Sequence, residues 1–296
     1  MRLFITGASG YLGGRIIARL LNAPEIEFFA LKRRTSSIEK FAGAGDRIRW
    51  HDVDDAPMEA IIKKAAPDVV LHAATRYAAA PDGMAGLVAT NVALPVRMLD
   101  AAIMTGVRTF INIDTVLGGA VSPYTLSKSQ FRDWLRVGSG SIRAVDLASE
   151  LFYGTGGDER NFVTGMVRRL VRGDGRVPLT AGEQVRDFVV IDDLVAAVEC
   201  ILLHIADGPA TGYERFEVGG AAPRTVREFA TSVCGAAGRS EDALQFGAIP
   251  YRPGESMRVV PDLAKIKELG WSPAASFRDT IMGMVEEERA RACQNT

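Results

Sequence analysis

Residues 2–23 read RLFITGASGYLGGRIIARLLNA, and the order of their parts decides the fold. RLFIT is a short apolar run of strand character, and in GRIIARLL the residues Ile16, Ile17, Leu20 and Leu21 recur at helical spacing. Between the two, Gly7, Gly10 and Gly13 make a GxxGxxG turn. Glycines in that place allow a tight turn and a close approach of backbone N–H groups to a pyrophosphate, while the helix behind them points its positive end at the anion. Strand, glycine turn and helix in this order predict a dinucleotide site.

The same alternation continues outward. FFALK, IRWHDV, DVVLHAAT, TFINID and IRAVDLA are apolar runs separated by helix-like or glycine-bearing segments. Apolar strands between amphipathic helices mean a sheet covered on both faces, so the expected fold class is α/β: a doubly wound parallel sheet, or Rossmann fold. NFVTGMVRRLVRGDGRVPL falls outside the rhythm, RDFVVIDDLVAAVECILLH and YERFEVGG read as a return to the sheet, and three helical patterns follow from about Ala221. A dinucleotide-binding Rossmann domain over 1–148 and 183–220 is expected. A smaller, discontinuous α/β substrate lobe takes 149–182 and 221–296.

Composition narrows the function classes. With 296 residues, 47% of them hydrophobic, the chain can bury a sizeable core. Its 35 basic and 36 acidic residues give a net charge of -1, which leaves no general field for nucleic acid or anionic lipid; any anion site must be local. Cys200, Cys234 and Cys293 lack metal-ligand spacing and three histidines do not supply a zinc site, so no metal is expected. LVAAVECILLHIA, from Leu194, is broken by Glu199 and too short to span a bilayer, and the N-terminus reaches glycine too soon for a signal peptide. The expectation is a cytoplasmic protein without nucleic-acid or membrane partners.

The second strand ends ALKRRTSS, where an NAD-preferring protein usually has an acid for the adenosine ribose. Lys32, Arg33 and Arg34 stand there instead and suit a 2′-phosphate, because guanidinium groups bind phosphate through paired donors. NADP(H) is therefore expected, with NAD(H) the lesser option; a solvated basic turn is the plainer alternative. Asp52 ends the third strand, placed to accept from the adenine amino group or to be a surface carboxylate. His72 reads as a packed core histidine, and the small Ala73 and Ala74 after it let a cofactor lie against the backbone.

The chemistry-bearing stretch is INIDTVLGGAVSPYTLSK, residues 111–128. Ser122 is a plausible N-cap with Pro123 in the first helical position, and Tyr124 and Lys128, at i and i+4, share a helix face. A Tyr hydroxyl has an ordinary pKa of about 10. A neighbouring ammonium, helped by an oxidised nicotinamide, stabilises the phenolate and brings the group nearer its working range. Thr115 ends its strand at the ligand-binding edge of the sheet, where its hydroxyl can hold the substrate oxygen that Tyr124 protonates.

TGASGYLGG, HDVDD, LHAAT, TNVALPVRMLDAA, PYTLSK, RDFVVIDDLVAAV, FEVGG and LGWSPAASFRDTI together cover nearly the whole chain. On them it resembles an extended short-chain dehydrogenase/reductase of the NAD(P)-dependent epimerase/dehydratase family. The resemblance implies that Gly7, Gly10 and Gly13 carry the pyrophosphate and Asp52 the adenine. It adds Ser9, Tyr11, Leu12, Val53, Thr75, Asn91 and Lys128 to the cofactor contacts, gives the chemistry to Thr115, Tyr124 and Lys128, and implies homodimers through the helices containing Asn91 and Tyr124. Thr115 and Tyr124 are nine positions apart, closer than in many relatives; VLGG stands for the usual VYG, and ELFYGTG for the usual NVYGP. DTVLGGAVSPYTLSKSQFRDWL and LASELFYGTGGD look similar to the branch that reduces C4 of a CDP-linked 4-keto-3,6-dideoxyhexose with NADPH.

A reductase of a nucleotide-linked 4-ketohexose is thus the expected activity. Arg76 and Tyr77 would line the sugar pocket, and Asn161, Arg186 and Arg252 would meet the diphosphate, unless each is an ordinary surface residue. An NAD-dependent nucleotide-sugar epimerase or dehydratase would use the same three residues, but a dehydratase normally has an Asp-Glu pair where Val116-Leu117 stand. A non-catalytic dinucleotide sensor of this fold would be expected to lack Tyr124 or Lys128. The short loop from Gly118 to Ser122 implies a more open sugar pocket, with Tyr77 and ELFYG taking part of the cover.

Overall fold

β1 (Arg2–Thr6), β2 (Glu27–Lys32), β3 (Ile48–Asp52), β4 (Val69–His72), β5 (Thr109–Thr115) and β6 (Arg143–Ser149) realise the six apolar runs. Four two-residue strands follow: β7 (Phe152–Tyr153), β8 (Val177–Pro178), β9 (Val185–Arg186) and β10 (Val189–Val190). Then comes β11 (Gly212–Val218), which closes a seven-stranded sheet of order β11-β6-β5-β4-β1-β2-β3. The computed structural model describes residues 1–77, 83–118 and 122–294. Residues 119–121, the middle of the short loop singled out in the sequence, lie outside the described residues.

β1 pairs in parallel with β2 and β4, β2 with β3, and β4 with β5. This is the doubly wound Rossmann order, reversing direction between β1 and β4, where ligands bind in such sheets. The register fixes the edge: Thr6 lies beside Leu31 and His72, and His72 beside Asn112. β5 therefore runs three residues past the end of β4 and carries Thr115 beyond it.

The helices are α1 (Tyr11–Leu20), α2 (Met58–Ala65), α3 (Gly83–Val88), α4 (Leu94–Thr105), α5 (Pro123–Gly138), α6 (Phe162–Arg172) and α7 (Ile191–His204). A π-helical turn, Ala89–Ala93, joins α3 to α4. The combined run Gly83–Thr105 is long and apolar enough to cross a membrane by length and composition alone. Its Leu87, Met98, Leu99, Ala101 and Ala102 are nevertheless buried in the protein, where α4 packs on α2 and α5.

The chain divides into two compact units, Met1–Ala148 with Val198–Phe216 and Ser149–Ala197 with Glu217–Thr296. The first has an apolar core that includes Phe4, Phe29, Phe110 and Phe131 under α2, α4 and α5. The second adds β12 (Arg224–Thr225), α8 (Val226–Ala236), β13 (Leu244–Gln245), α9 (Ala264–Glu268) and α10 (Phe277–Gln294). Its core gathers Val167, Phe188, Phe229, Ile281 and Val285, with Phe188 and Phe229 stacked 3.6 Å apart. Residues 183–197 and 217–220, assigned to the first domain in the sequence reading, fall in this second unit, and Phe188 and Val190 belong to its core. RDFVV likewise does not rejoin the large sheet. β10 pairs with β7 in a separate ribbon, since α7 starts at the next residue.

Candidate active site

The glycine turn is shaped by contacts among its own atoms. Gly7 has φ +70°, and a Cβ there would lie 2.8 Å from the Ala73 carbonyl and the Ala74 amide nitrogen at the end of β4. A Cβ on Gly10 would come 3.0 Å from the Gly7 carbonyl oxygen, and one on Gly13 2.3 Å from it. Gly10 N donates to that same oxygen at 2.8 Å. The three glycines thus make one knot between β1, α1 and β4 that no side chain fits, which leaves the turn tight against the start of α1. α1 begins at Tyr11, with no side-chain cap on its first turn and Leu12 buried behind it. Such an uncapped N-terminus suits an anion.

A lysine reaches the same turn from elsewhere in the sequence. Lys40 Nζ donates to Ser9 O (3.0 Å) and Gly10 O (2.8 Å), and burial pulls its pKa down. Of the basic turn after β2, Lys32 donates to Asp52 at 2.6 Å and Arg34 pairs with Asp55 at 3.2 Å, while Arg33 is exposed. Asp52, expected to meet adenine, is therefore also the partner of Lys32. Val53 N bonds Lys32 O at 2.9 Å, which fixes the two strand ends together. Ala74 N donates to Thr6 Oγ1, and Thr6 Oγ1 lies 2.9 Å from His72 Nδ1. His72 is buried, and burial with the nearby Lys128 charge lowers its pKa to about 3. It is a neutral core histidine.

α5 opens as its sequence suggests. Ser122 caps it, accepting from Thr125 N, while Thr125 Oγ1 accepts from Ser122 N, and Pro123 takes the first position. This start aims Tyr124 and Lys128 at the edge of the sheet. The Tyr77 ring lies 5.2 Å from that of Tyr124. Burial, Tyr77 and Asp114 raise the pKa of Tyr124, and the Thr75 side chain pulls it the other way. The expected lowering is thus not what the chain alone produces: Tyr124 is held protonated, the form an acid needs. Lys128 is 3% exposed and its Nζ donates to Ile113 O at 2.6 Å.

Thr115 is buried at the end of β5, and its hydroxyl accepts from Leu117 N at 3.2 Å. Asn91, expected at the cofactor, has its amide committed elsewhere: Oδ1 accepts from Arg76 N (2.8 Å), and Nδ2 donates to Arg76 O (2.9 Å) and Ser127 Oγ (3.0 Å). It clips the segment carrying Thr75, Arg76 and Tyr77 to α5. The π-helical turn around Asn91 is the local distortion that lets one side chain reach both.

Beneath these residues two carboxylates from neighbouring strands are buried side by side. Asp114 on β5 and Asp146 on β6 have wholly buried side chains and share the Arg215 guanidinium. Arg132 Nε donates to Asp114 at 2.5 Å, and Arg215 Nη1 reaches both acids. Asn112 Nδ2 (2.8 Å) and the Tyr213 hydroxyl (3.2 Å) donate to Asp146.

In the second unit, Asn161 is the N-cap of α6: it accepts from Val163 N and Thr164 N and donates to Phe152 O at 2.8 Å. Its amide is occupied by backbone, so the cap explains the residue that the sequence reading gave to the diphosphate. Arg186 is buried between Glu150 and Glu255, 2.6 Å from each. Burial, only partly offset by Arg186, raises the Glu150 pKa to about 7. Arg252 is exposed.

Residues 3–219 match the NAD dependent epimerase/dehydratase family. The chain belongs to that family. It is 27% identical to the CDP-abequose synthase of Salmonella typhimurium, over 94% of this chain and 95% of that one. It is also 27% identical to a UDP-glucose 4-epimerase of Mycolicibacterium smegmatis, over 97% and 98%. In fold it resembles the UDP-glucuronic acid 4-epimerase of Bacillus cereus, solved with UDP-glucuronic acid and NAD, at TM-score 0.84 and 20% identity over 98% and 100% of the two chains. Epimerase/dehydratase membership makes the chain a nucleotide-sugar-modifying enzyme that uses a nicotinamide dinucleotide. The glycine knot fits that cofactor.

Sequence reasoning missed Lys40 and the Asp114–Asp146 pair. Lys40 carried no signal. The two acids did: each interrupts an otherwise apolar strand, and a carboxylate in such a run is buried and partnered or is functional.

Proposed function

We propose that this chain is an NADPH-dependent reductase of a nucleotide-linked 4-keto-deoxyhexose. The observation that carries the reading is the Tyr124–Lys128 pair on α5 in a chain similar to CDP-abequose synthase over almost its full length. The nicotinamide, when bound, supplies the hydride for the sugar C4 ketone. Tyr124 gives its proton to the ketone oxygen, and Lys128 stabilises the phenolate left behind. Thr115 orients the substrate oxygen from the end of β5. Tyr77, 55% exposed beside Tyr124, and Arg76 cover the sugar. The glycine knot with Ser9, Tyr11 and Leu12 takes the pyrophosphate, Asp52 and Val53 the adenine, and Ala73 and Ala74 the nicotinamide side.

Arg33 and Arg34 are the basis for NADPH. The Arg34–Asp55 pair is exposed and worth only roughly 0.2–1 kcal/mol, so a 2′-phosphate can displace it. The exposed Leu126, Trp134 and Val137 of α5 with Met104 of α4 support a homodimer formed through these helices. We place the enzyme in the cytoplasm.

One observation favours a second reading, an NAD-dependent epimerase: Lys32 is spent on Asp52 rather than left for a 2′-phosphate. The deciding experiment offers the protein NADPH with a CDP-linked 4-keto-3,6-dideoxyhexose and, separately, NAD with UDP-glucose. The expected result is NADPH consumed one for one with a new C4 hydroxyl. Interconversion of UDP-glucose and UDP-galactose without net cofactor consumption, and no ketone reduction, would overturn it.

A further inference from the structure

Thr115 lies three residues beyond Asn112, the last residue of β5 to pair with β4. It is buried, and a buried carbonyl past the end of a ladder has to find its donors elsewhere. Two guanidiniums supply them. Arg132 Nη2 donates to Thr115 O at 3.2 Å from α5, and Arg215 Nη2 donates to the same oxygen at 3.1 Å from β11. The chemistry proposed above uses the hydroxyl of this threonine and makes no use of either arginine.

Each arginine is itself held by its other donors. Arg132 Nε donates to Asp114 Oδ2, and Arg215 Nη1 donates to Asp114 Oδ2 at 2.9 Å and to Asp146 Oδ2. Asp146 is fixed in turn by Asn112 Nδ2 and the Tyr213 hydroxyl. The acids are wholly buried and the arginines largely so. A buried ionic cluster is a weak source of stability, because desolvation consumes most of the attraction. What a planar guanidinium gripped at two points does supply is direction.

α5 ties this grip to the reacting groups. Tyr124, Lys128 and Arg132 are spaced four apart and share one helix face. Lys128 takes the carbonyl of Ile113 at 2.6 Å and Arg132 that of Thr115, so the helix that carries the acid is fastened to β5 at two alternate residues. The Thr115 hydroxyl accepts from Leu117 N at 3.2 Å, which ties its direction to the same stretch of backbone. We propose that Arg132 and Arg215 are positioning residues: gripping the Thr115 carbonyl from two elements, they fix where the Thr115 hydroxyl stands relative to Tyr124, a role that rests on the proposed chemistry of these two residues. A lysine in place of either would keep the charge, but a single ammonium lacks the fork that spans a carboxylate and the carbonyl together.

The test uses Arg132→Lys and Arg215→Lys, made separately so that one stands in if the other does not fold. In 15N-labelled protein, hydrogen exchange of the Leu117 amide should quicken by about tenfold in each, because its acceptor belongs to a threonine no longer held. With NADPH and the CDP-linked 4-ketosugar, kcat should fall by about ten- to a hundredfold, the scale expected for misplacing a reacting group by about 1 Å, while KM and the Kd for NADPH stay near those of the wild type. That loss should vanish in a Thr115→Val background, where no hydroxyl is left to position. Unchanged Leu117 exchange in a folded variant of either kind overturns the proposal, and so does a loss of kcat that adds in full to that of Thr115→Val. Faster Leu117 exchange with normal turnover, both in the arginine variants and in Thr115→Val, would instead overturn the catalytic role of Thr115 and leave the grip on its carbonyl standing.

Discussion

Lys40 Nζ donates to the carbonyl oxygen of Gly10 across 2.8 Å, which puts a positive charge at the mouth of α1. That end of the helix already carries the partial positive charge of its unpaired N–H groups. Lys40→Met should weaken binding of NADPH and NADH alike by about tenfold, since a charge-assisted contact is worth roughly 1.5–3 kcal/mol and the lysine gives up its two carbonyl bonds to make it. Calorimetric titration with each nucleotide checks this; unchanged affinities would mean that the lysine only braces the loop.

Arg33 and Arg34 should act differently. Replacing both with Gln is expected to raise the Kd for NADPH at least tenfold while leaving that for NADH nearly alone, because only the 2′-phosphate distinguishes the two. Equal affinity of the wild-type protein for both nucleotides would remove the basis for NADPH.

Tyr124→Phe should keep cofactor affinity and lower kcat by roughly 10²–10⁴-fold, the usual contribution of a positioned acid. Single-turnover kinetics with a CDP-linked 4-ketosugar reads this directly.

The glycine knot makes a stability prediction with its own control. In Gly13→Ala the new Cβ meets Gly7 O at 2.3 Å, which should destabilise by roughly 1–3 kcal/mol and abolish dinucleotide binding. Gly235, inside α8, has open space for 4 Å around the point where a Cβ would stand, so Gly235→Ala should stabilise by roughly 0.4–1 kcal/mol. Thermal midpoints of the two variants should move in opposite directions.

His72 gives a pH dependence. Its folded pKa is depressed to about 3 while the unfolded chain keeps the ordinary value of 6.5, so below the latter the unfolded state binds the extra proton. Stability should fall by roughly 1.4 kcal/mol per pH unit as pH drops from about 6 to 4.5, before the carboxylates contribute. Urea midpoints of the wild type and of His72→Asn should diverge across that window, the variant being flatter.

Most of the first unit was legible because its strands are buried on both faces and so read as unbroken apolar runs. The start of α5 was legible too, since Ser122 and Pro123 are local signals and the observed cap is local. What failed was non-local. RDFVV has the composition of a sheet strand, but α7 begins immediately after it. Asn91 and Asn161 looked available to ligands, yet one amide clips Arg76 to Ser127 and the other caps α6, and neither partner is visible from the residue's own neighbourhood. Lys40 reaches its carbonyls from thirty positions away. The order of strands follows from hydrophobic pattern; the destinations of long polar side chains follow from the packed structure.

The division of the chain has a practical result for anyone who would cut or recombine it. The polypeptide passes between its two units three times, after Ala148, Ala197 and Phe216. The second passage lies inside α7 and the third inside β11, both regular elements with backbone hydrogen bonds running through the junction. Neither unit can be expressed as one continuous gene segment, and exchange of substrate lobes between homologues would have to splice a helix and a strand in mid-course. Recombination libraries should therefore keep residues 191–218 from a single parent, and limited proteolysis should nick the surface turns before it releases either half intact.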